Sequence, residues 1–298
     1  MEYALHLFIV ICLYLMLSQS LNLSAGFSGL ISLSQAGFYG LGAYTSAIFS
    51  TQFNMSFWAT LVIAIVFSAI IAFLVSLIAL RTVEDYFIIC TLGIQIIIFS
   101  LMNNLTHITR GPLGIPGIPS ITLFSFNFKT KISFLLLSIF FAGLIWIAIY
   151  NITKSGFGKI LRALKEDEIY VQSIGKNVYK AKIVSFTLSS CLAAVPGALY
   201  AHYISYIDPS SFSVNESIFI LSIVIIGGLG NLKGGLFAVA FLVLLPEAFR
   251  FIGIPDQVAA NIRQICYGLI LTIIMLVGRE KATGFIRKYL KNFGKASS

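Results

Sequence analysis

Apolar residues run in long blocks along this chain, and polar positions are confined to short interruptions. The blocks cover about 4–22, 36–53, 57–80, 85–104, 133–152, 183–203, 214–230, 234–251 and 262–279. Each approaches the roughly 20 apolar residues that a membrane-spanning helix needs. They predict an all-α, polytopic integral membrane protein of about 8–10 transmembrane helices, built as a single transmembrane domain over 1–298. Residues 23–35, LSAGFSGLISLSQ, are uncharged and rich in small side chains. They fit a loop, a re-entrant piece or half of a broken helix, so a break or re-entry is expected within 23–53. Residues 4–22 could suggest a secretory signal, but no Lys or Arg precedes them and no clean small-residue cleavage site follows. They are expected to be a retained first span. Residues 105–132 contain RGPLGIPGIP, a turn-rich loop rather than a helix.

Composition agrees with the block pattern. The chain is 58% hydrophobic and 10% charged, with a mean hydropathy of +0.94. Soluble domains carry about 25% charged residues. A formal charge of +9 would raise nucleic-acid binding in a soluble protein. Here the Lys and Arg sit in a few loops, so they report topology and no nucleic-acid partner is expected. Lys154, Lys159, Arg162, Lys165, Lys176, Lys180 and Lys182 mark residues 153–182. Arg279, Lys281, Arg287, Lys288, Lys291 and Lys295 mark the tail, 279–298. Both segments are predicted to be cytoplasmic, and the even number of blocks between them agrees. That places 105–132 and 204–213 outside, with the links near Arg81 and Lys233 inside. The N-terminus is external if 23–53 crosses once and cytoplasmic if it crosses twice.

Candidate chemistry is sparse. Cys12, Cys90, Cys191 and Cys266 all lie in apolar blocks without a CxxC pair, as small core hydrophobes do. His6, His107 and His202 show no metal-ligand spacing, and no catalytic constellation or metal site is expected. SLSQAGFYGLGAYTSA places Gly37, Gly40 and Gly42 where they could pack helices closely or line a pathway, and Gly93 is a further candidate of the same kind. In IIGGLGNLKGG, Gly227, Gly228 and Gly230 precede Lys233, which is followed by glycine and not by the Ser or Thr of a phosphate loop. That segment is expected to be a tight cytoplasmic turn, so any ATP must be bound by a partner; Gly227, Gly228 and Gly230 are further pathway or helix-packing candidates. In LLPEAFR, Pro246 should kink a span, while Glu247 and Arg250 share a helix face as an interfacial pair or as part of a pathway.

One stretch contradicts the rest: LRALKEDEIYVQSIGKNVYKAK, residues 161–182. Ile160, Leu161 and Leu164 recur at helical spacing, and Gly175 offers a left-handed stop. One or two short helices on the cytoplasmic side are predicted. A solvated basic loop would suffice for topology, but it would need neither a helical pattern nor the acidic run Glu166, Asp167 and Glu168. The pattern suits docking into a groove on another protein.

Taken in order, NLSAGFSGLISLSQAGFYGLGAYTSA, EDYFIICTLG with TRGPLGIPGIP, GFGKILRALKEDEIYVQSIGKNVYKAKIVSF, PGALYA, IVIIGGLGNLKGG and LPEAFR resemble the LivM-type membrane subunits of bacterial ATP-binding-cassette importers for branched-chain amino acids. The resemblance implies a multi-pass permease of the bacterial cytoplasmic membrane, with its C-terminus inside. Its partners would be the lipid bilayer, a second homologous permease, two cytoplasmic ATPases carrying ATP and Mg, and an external solute-binding protein. This chain itself would bind no cofactor and catalyse no reaction. The resemblance also implies that Gly158, Arg162, Glu166, Asp167, Glu168 and Gly175 belong to the ATPase-coupling surface. Tyr170 and Val171 stand where the family commonly has alanines, and Arg110 and Leu113 replace commoner small or polar residues of the external loop. A related cargo such as urea or a short amide fits the same architecture. An ion-coupled secondary transporter is the alternative of another class, although the span centres hold few ionisable residues.

Overall fold

A computed structural model describes residues 2–82, 84–123, 126–128, 130–251 and 268. Contacts divide the chain into two compact units, Met1–Val243 and Leu244–Ser298. Apart from residue 268, the expected span at 262–279 lies outside the described residues, as do the basic tail and Cys266. The helices are α1 (Glu2–Leu21), α2 (Gln35–Gln52), α3 (Phe57–Ala79), α4 (Glu84–Asn104), α5 (Thr106–Thr109), α6 (Lys131–Lys154), α7 (Gly156–Glu166), α8 (Glu168–Ser173), α9 (Val178–Ile204), α10 (Val214–Gly227) and α11 (Leu232–Phe251). The architecture is all-α and polytopic. Five described helices are long and apolar enough to cross a membrane: Glu2–Phe27, Phe57–Ala79, Tyr86–Asn104, Lys131–Lys154 and Val178–Ile204. Their exposed faces are hydrocarbon, as lipid contact requires. Leu136, Phe140, Leu144 and Ile147 of α6 all face outward.

Within the first unit, side-chain contacts sort the helix ends. Lys131, at the start of α6, pairs with Glu2, at the start of α1, at 3.0 Å. The end of α9 joins them through Tyr203 and His6 Nδ1 at 2.7 Å. His202 meets Ser46 of α2 at 2.9 Å and the Pro119 carbonyl at 2.7 Å. So the start of α1, the end of α2 and the loop after α4 gather at one end, while residues 155–177 lie at the other. Residues 23–53 therefore cross once, and the N-terminus shares an end with the 105–132 loop. That loop is turn-rich as expected, with Ile115–Pro116 pairing antiparallel to Tyr206–Ile207. At this end burial pushes the Asp208 carboxyl up, but hydrogen bonds from Ser210 and Ser211 outweigh it and hold the group below its usual range.

The break predicted near 23–53 has a definite form. α1 continues as a π-helix over Asn22–Phe27, residues 29–34 are non-helical, and α2 starts at Gln35. Gly29 turns the chain with φ +76°. Buried backbone donors of a broken helix must find partners, because lipid offers none. Here side chains supply them. Leu33 N–H donates to Thr91 Oγ1 at 3.1 Å, Ala36 N–H to Ser217 Oγ at 3.0 Å, and Gly37 N–H to Gln95 Oε1 at 2.5 Å.

α2 and α9 form the centre of the unit. A Cβ on Gly42 would lie 2.3 Å from the Ala194 carbonyl oxygen, and one on Gly197 would lie 2.1 Å from that of Tyr39. The two backbones therefore touch through glycine, as membrane helices do where small residues allow close approach.

Candidate functional site

The charged insert is a built structure joined to the broken helix. α6 ends at Lys154, and the Ser155 hydroxyl caps α7 by accepting from Gly158 N–H at 3.4 Å. A Cβ on Gly158 would lie 2.3 Å from the Thr153 carbonyl oxygen, so only glycine lets α7 press against the end of α6. Arg162 reaches the same carbonyl, donating from Nη2 at 2.9 Å, and its guanidinium lies 5.6 Å from the Phe27 ring centre. Leu161 and Leu164 face inward with Val171, Val178 and Ala181 and pack on Leu23 and Phe27 of the π-helix. The helical spacing of apolar residues in the insert is thus the spacing of this buried face.

Polar contacts complete the junction. Lys165 Nζ donates to the Gly26 carbonyl at 2.9 Å. Gly230 N–H, in the turn between α10 and α11, donates to Asn22 Oδ1 at 2.8 Å. Gly26 and that turn approach so closely that a Cβ on Gly26 would lie 2.4 Å from Gly230 N. The end of the π-helix, the 228–231 turn and α7 therefore meet at one place.

Asp167 separates the two insert helices. Its carboxylate caps α8 by accepting from Ile169 N–H at 2.8 Å and Tyr170 N–H at 3.1 Å. Glu168 forms an ion pair with Lys182 of α9. Gly175 has φ +75°, its N–H donates to Gln172 O at 2.9 Å, and Lys176 N–H donates to Val171 O at 3.3 Å. These are the two bonds of a Schellman motif, so the left-handed stop expected at Gly175 is present. A Cβ there would meet nothing, so the constraint is conformational.

Gly158, Arg162, Asp167, Glu168 and Gly175 thus hold the insert in shape, and Glu166 faces solvent. The outward apolar side chains are Ile169, Tyr170 and Ile174, which are 78%, 59% and 53% exposed. Sequence reasoning passed over both isoleucines and the role of Lys165. The available signal was an apolar residue on the solvent face of a short charged helix. Val171 is 1% exposed, so of the two departures from alanine it fills this chain's own core and only Tyr170 faces outward.

The glycine candidates divide. Gly37 touches Gln95, Gly40 touches Met102 and Phe212, and Gly42 touches α9. A Cβ on Gly93 would meet nothing within 4 Å among the described residues, so no described helix packs closely on it there. Gly227 lies against Gly234 and Gly235, and Gly228 and Gly230 both have φ +87°, which makes the expected tight turn. α11 continues through Pro246, and the side chains of Glu247 and Arg250 lie outside the described residues.

A buried polar seam runs from this junction into the unit. Ser24 meets Ser189 at 3.1 Å, Ser28 meets Ser185 at 3.0 Å, and Gln35 Nε2 donates to Ser20 Oγ at 2.7 Å. Farther along, Tyr14 donates to Glu216 at 2.6 Å. Gln95 and Ser217, which sequence reasoning did not single out, satisfy the start of α2. A lone amide in the apolar run around Gln95 was the signal. Among the described residues no group of three or more His, Cys, Asp or Glu is placed to hold a metal ion.

A family model described as the permease component of the branched-chain amino acid transport system matches residues 3–277. The high-affinity branched-chain amino acid transport permease protein LivM of Escherichia coli is 34% identical over 261 residues, covering 80% of this chain and 61% of that one. A probable branched-chain amino acid transport permease protein LivM of Methanocaldococcus jannaschii is 26% identical, covering 76% and 68% of the two chains. The guanosine ABC transporter permease protein NupQ of Bacillus subtilis is 24% identical, covering 84% and 83%. The chain thus spans about three fifths of the length of the E. coli protein. No solved structure matches it. The family model covers the broken helix, the insert and the glycine turn alike, and the chain belongs to the family of permease components of branched-chain amino acid transport systems.

Proposed function

We propose that this chain is a membrane-spanning permease subunit of an ATP-binding-cassette importer for branched-chain amino acids. It would act as one permease domain in the bacterial cytoplasmic membrane. A second homologous permease, two cytoplasmic ATPases carrying ATP and Mg, and an external binding protein complete the assembly. The insert end is cytoplasmic, because the basic residues of 153–182 gather there. The N-terminus and the 105–132 loop are then external, and the tail is cytoplasmic. α6, at 24 residues, is about 36 Å long and spans a hydrocarbon core of about 30 Å.

The observation that carries the reading is the junction of the insert with the broken helix. ATPases gripping Ile169, Tyr170 and Ile174 would move α7 and α8 as a unit. Lys165 and Arg162 pass that motion to Gly26 and Phe27, and Asn22 passes it to the 228–231 turn. The serine seam joins the same π-helix to α9, and hydroxyl pairs can exchange partners with little penalty. Rigid-body movement of this kind alternates access in transporters. A pathway of hydroxyls and amides between apolar walls suits a zwitterion with an apolar side chain.

The test is uptake of radiolabelled leucine, isoleucine and valine by cells expressing the chain together with ATPase, second-permease and binding-protein subunits from the same genome. Saturable, ATP-dependent uptake is expected. Its absence, with uptake of urea or guanosine instead, would move the cargo assignment; the relative named for guanosine makes that comparison specific. Sidedness is tested separately with Lys165→Cys, which a membrane-impermeant thiol reagent should label only after the cells are opened. Labelling in intact cells would refute the coupling role.

A further inference from the structure

We propose that a cleft at the root of the insert binds the phosphate headgroup of an anionic phospholipid. The cleft has a volume of about 720 Å³ and opens between the end of α6, α7 and the turn before α11. Lys154, Arg162, Lys165 and Lys233 line it, with Glu166 as the one carboxylate. Four cations against one anion leave a net charge of +3 in a small volume. Neither ion pair among the described residues involves any of them. Arg162 and Lys165 each donate to a backbone carbonyl, which satisfies a hydrogen bond but leaves the charge uncompensated. Lys154 Nζ lies 4.3 Å from the Tyr150 ring centre, again without a counter-charge. Lys233 is exposed in the first turn of α11, where the helix dipole adds the same sign. Mutual repulsion of this set favours an anionic ligand, and phosphate oxygens can accept from several of these donors at once.

The surroundings identify the ligand as a lipid. Leu136, Phe140, Leu144 and Ile147 are exposed at helical spacing along α6, and the stripe ends at Tyr150 and Lys154 beside the cleft. A Cβ on Gly143 would meet nothing within 4 Å among the described residues, so that stretch of the stripe is uncovered by them. Trp146 and Tyr150 both line the cleft. Aromatic residues of this kind mark the headgroup level of a bilayer, and basic pockets between membrane helices bind anionic headgroups. Acyl chains would lie along the α6 stripe with the phosphate among the four cations. A soluble anion would use the cations but would have no need of the stripe. This inference requires only that the chain spans a membrane, and it stands apart from the choice of cargo.

The chain contains two tryptophans, so Trp58→Phe leaves Trp146 as a reporter inside the cleft. The full chain, carrying that change, is reconstituted in phosphatidylcholine vesicles containing a minor fraction of dibrominated phosphatidylglycerol or dibrominated phosphatidylcholine. Preferential quenching of Trp146 by the brominated phosphatidylglycerol is expected. Lys154→Gln and Lys233→Gln should each lower that preference by about fivefold. Lys154→Arg should retain it, and Lys131→Gln, at the opposite end, should leave it unchanged. Equal quenching by the two lipids would overturn the proposal. So would loss of the preference on adding inorganic phosphate, which would identify a soluble anion as the ligand. The comparison of the two lipids decides the matter even if a charge-removing variant fails to fold.

Discussion

Gly42 and Gly93 look alike in sequence, since each is a glycine inside an apolar helix. The structure assigns them opposite responses to the same change. In Gly42→Ala the new Cβ would sit 2.3 Å from the Ala194 carbonyl oxygen and 2.5 Å from Ala194 Cα. Both are backbone atoms, which cannot rotate aside. A Cβ does not settle closer than 3.0 Å to such atoms, so α2 and α9 must separate along their whole contact. That contact includes Gly197, whose own Cβ position lies 2.1 Å from the Tyr39 carbonyl oxygen. Overpacking of this kind costs about 1–3 kcal/mol. The helix-propensity gain of alanine over glycine, about 1 kcal/mol, offsets only part of it. Among the described residues the Cβ of Gly93→Ala would meet nothing within 4 Å, so this variant keeps the propensity gain alone. The assay is the midpoint of heat-induced loss of monodisperse chain, measured for both variants in one detergent. Gly42→Ala should fall below the parent, and Gly93→Ala should equal or exceed it. If Gly42→Ala matched Gly93→Ala, the backbone contact between α2 and α9 would be wrong.

Four further changes probe the junction and the break. Lys165→Met removes the donor to Gly26 O at a cost of about 1 kcal/mol; uptake should fall while ATP hydrolysis persists, and Lys165→Arg should restore it. Glu168→Lys and Lys182→Glu should each raise trypsin cleavage within the insert, and the double reversal should restore protection. Because this pair is partly exposed, each effect should stay within about 1 kcal/mol, and a double variant no better protected than the singles would refute the pairing. Gly175→Ala forces alanine to φ +75° at a cost of about 1–2 kcal/mol, so amide exchange over 168–176 should quicken; unchanged exchange would count against the Schellman stop. Gln95→Leu strips the acceptor from Gly37 N–H and the donor to Phe212 O, and should cost about 1–3 kcal/mol in the same thermal assay; an unchanged midpoint would refute this pairing.

Much of the fold is legible in the chain because a bilayer leaves few options. Lipid cannot satisfy a backbone group, so each long apolar block must be a helix. The blocks at 57–80 and 133–152 accordingly appear as Phe57–Ala79 and Lys131–Lys154. The left-handed stop at Gly175 and the inward face through Leu161 and Leu164 were legible for a different reason: local periodicity and glycine conformation are properties of short segments. Residues 29–34 were a different matter. Their small, uncharged side chains suit a loop, a re-entrant piece or a broken helix equally well, and the deciding groups, Thr91, Gln95 and Ser217, lie far along the chain.

The sequence by itself determined an apolar, largely helical chain with one charged insert and an irregular segment somewhere within 23–53, because hydropathy and period are local. Only the tertiary structure decided that the break crosses once. It also decided that a Cβ on Gly42 meets a backbone while one on Gly93 meets nothing among the described residues, and that Glu168 pairs with Lys182. Each of those outcomes depends on which distant residue arrives opposite, and a one-dimensional pattern carries no record of its neighbours in space.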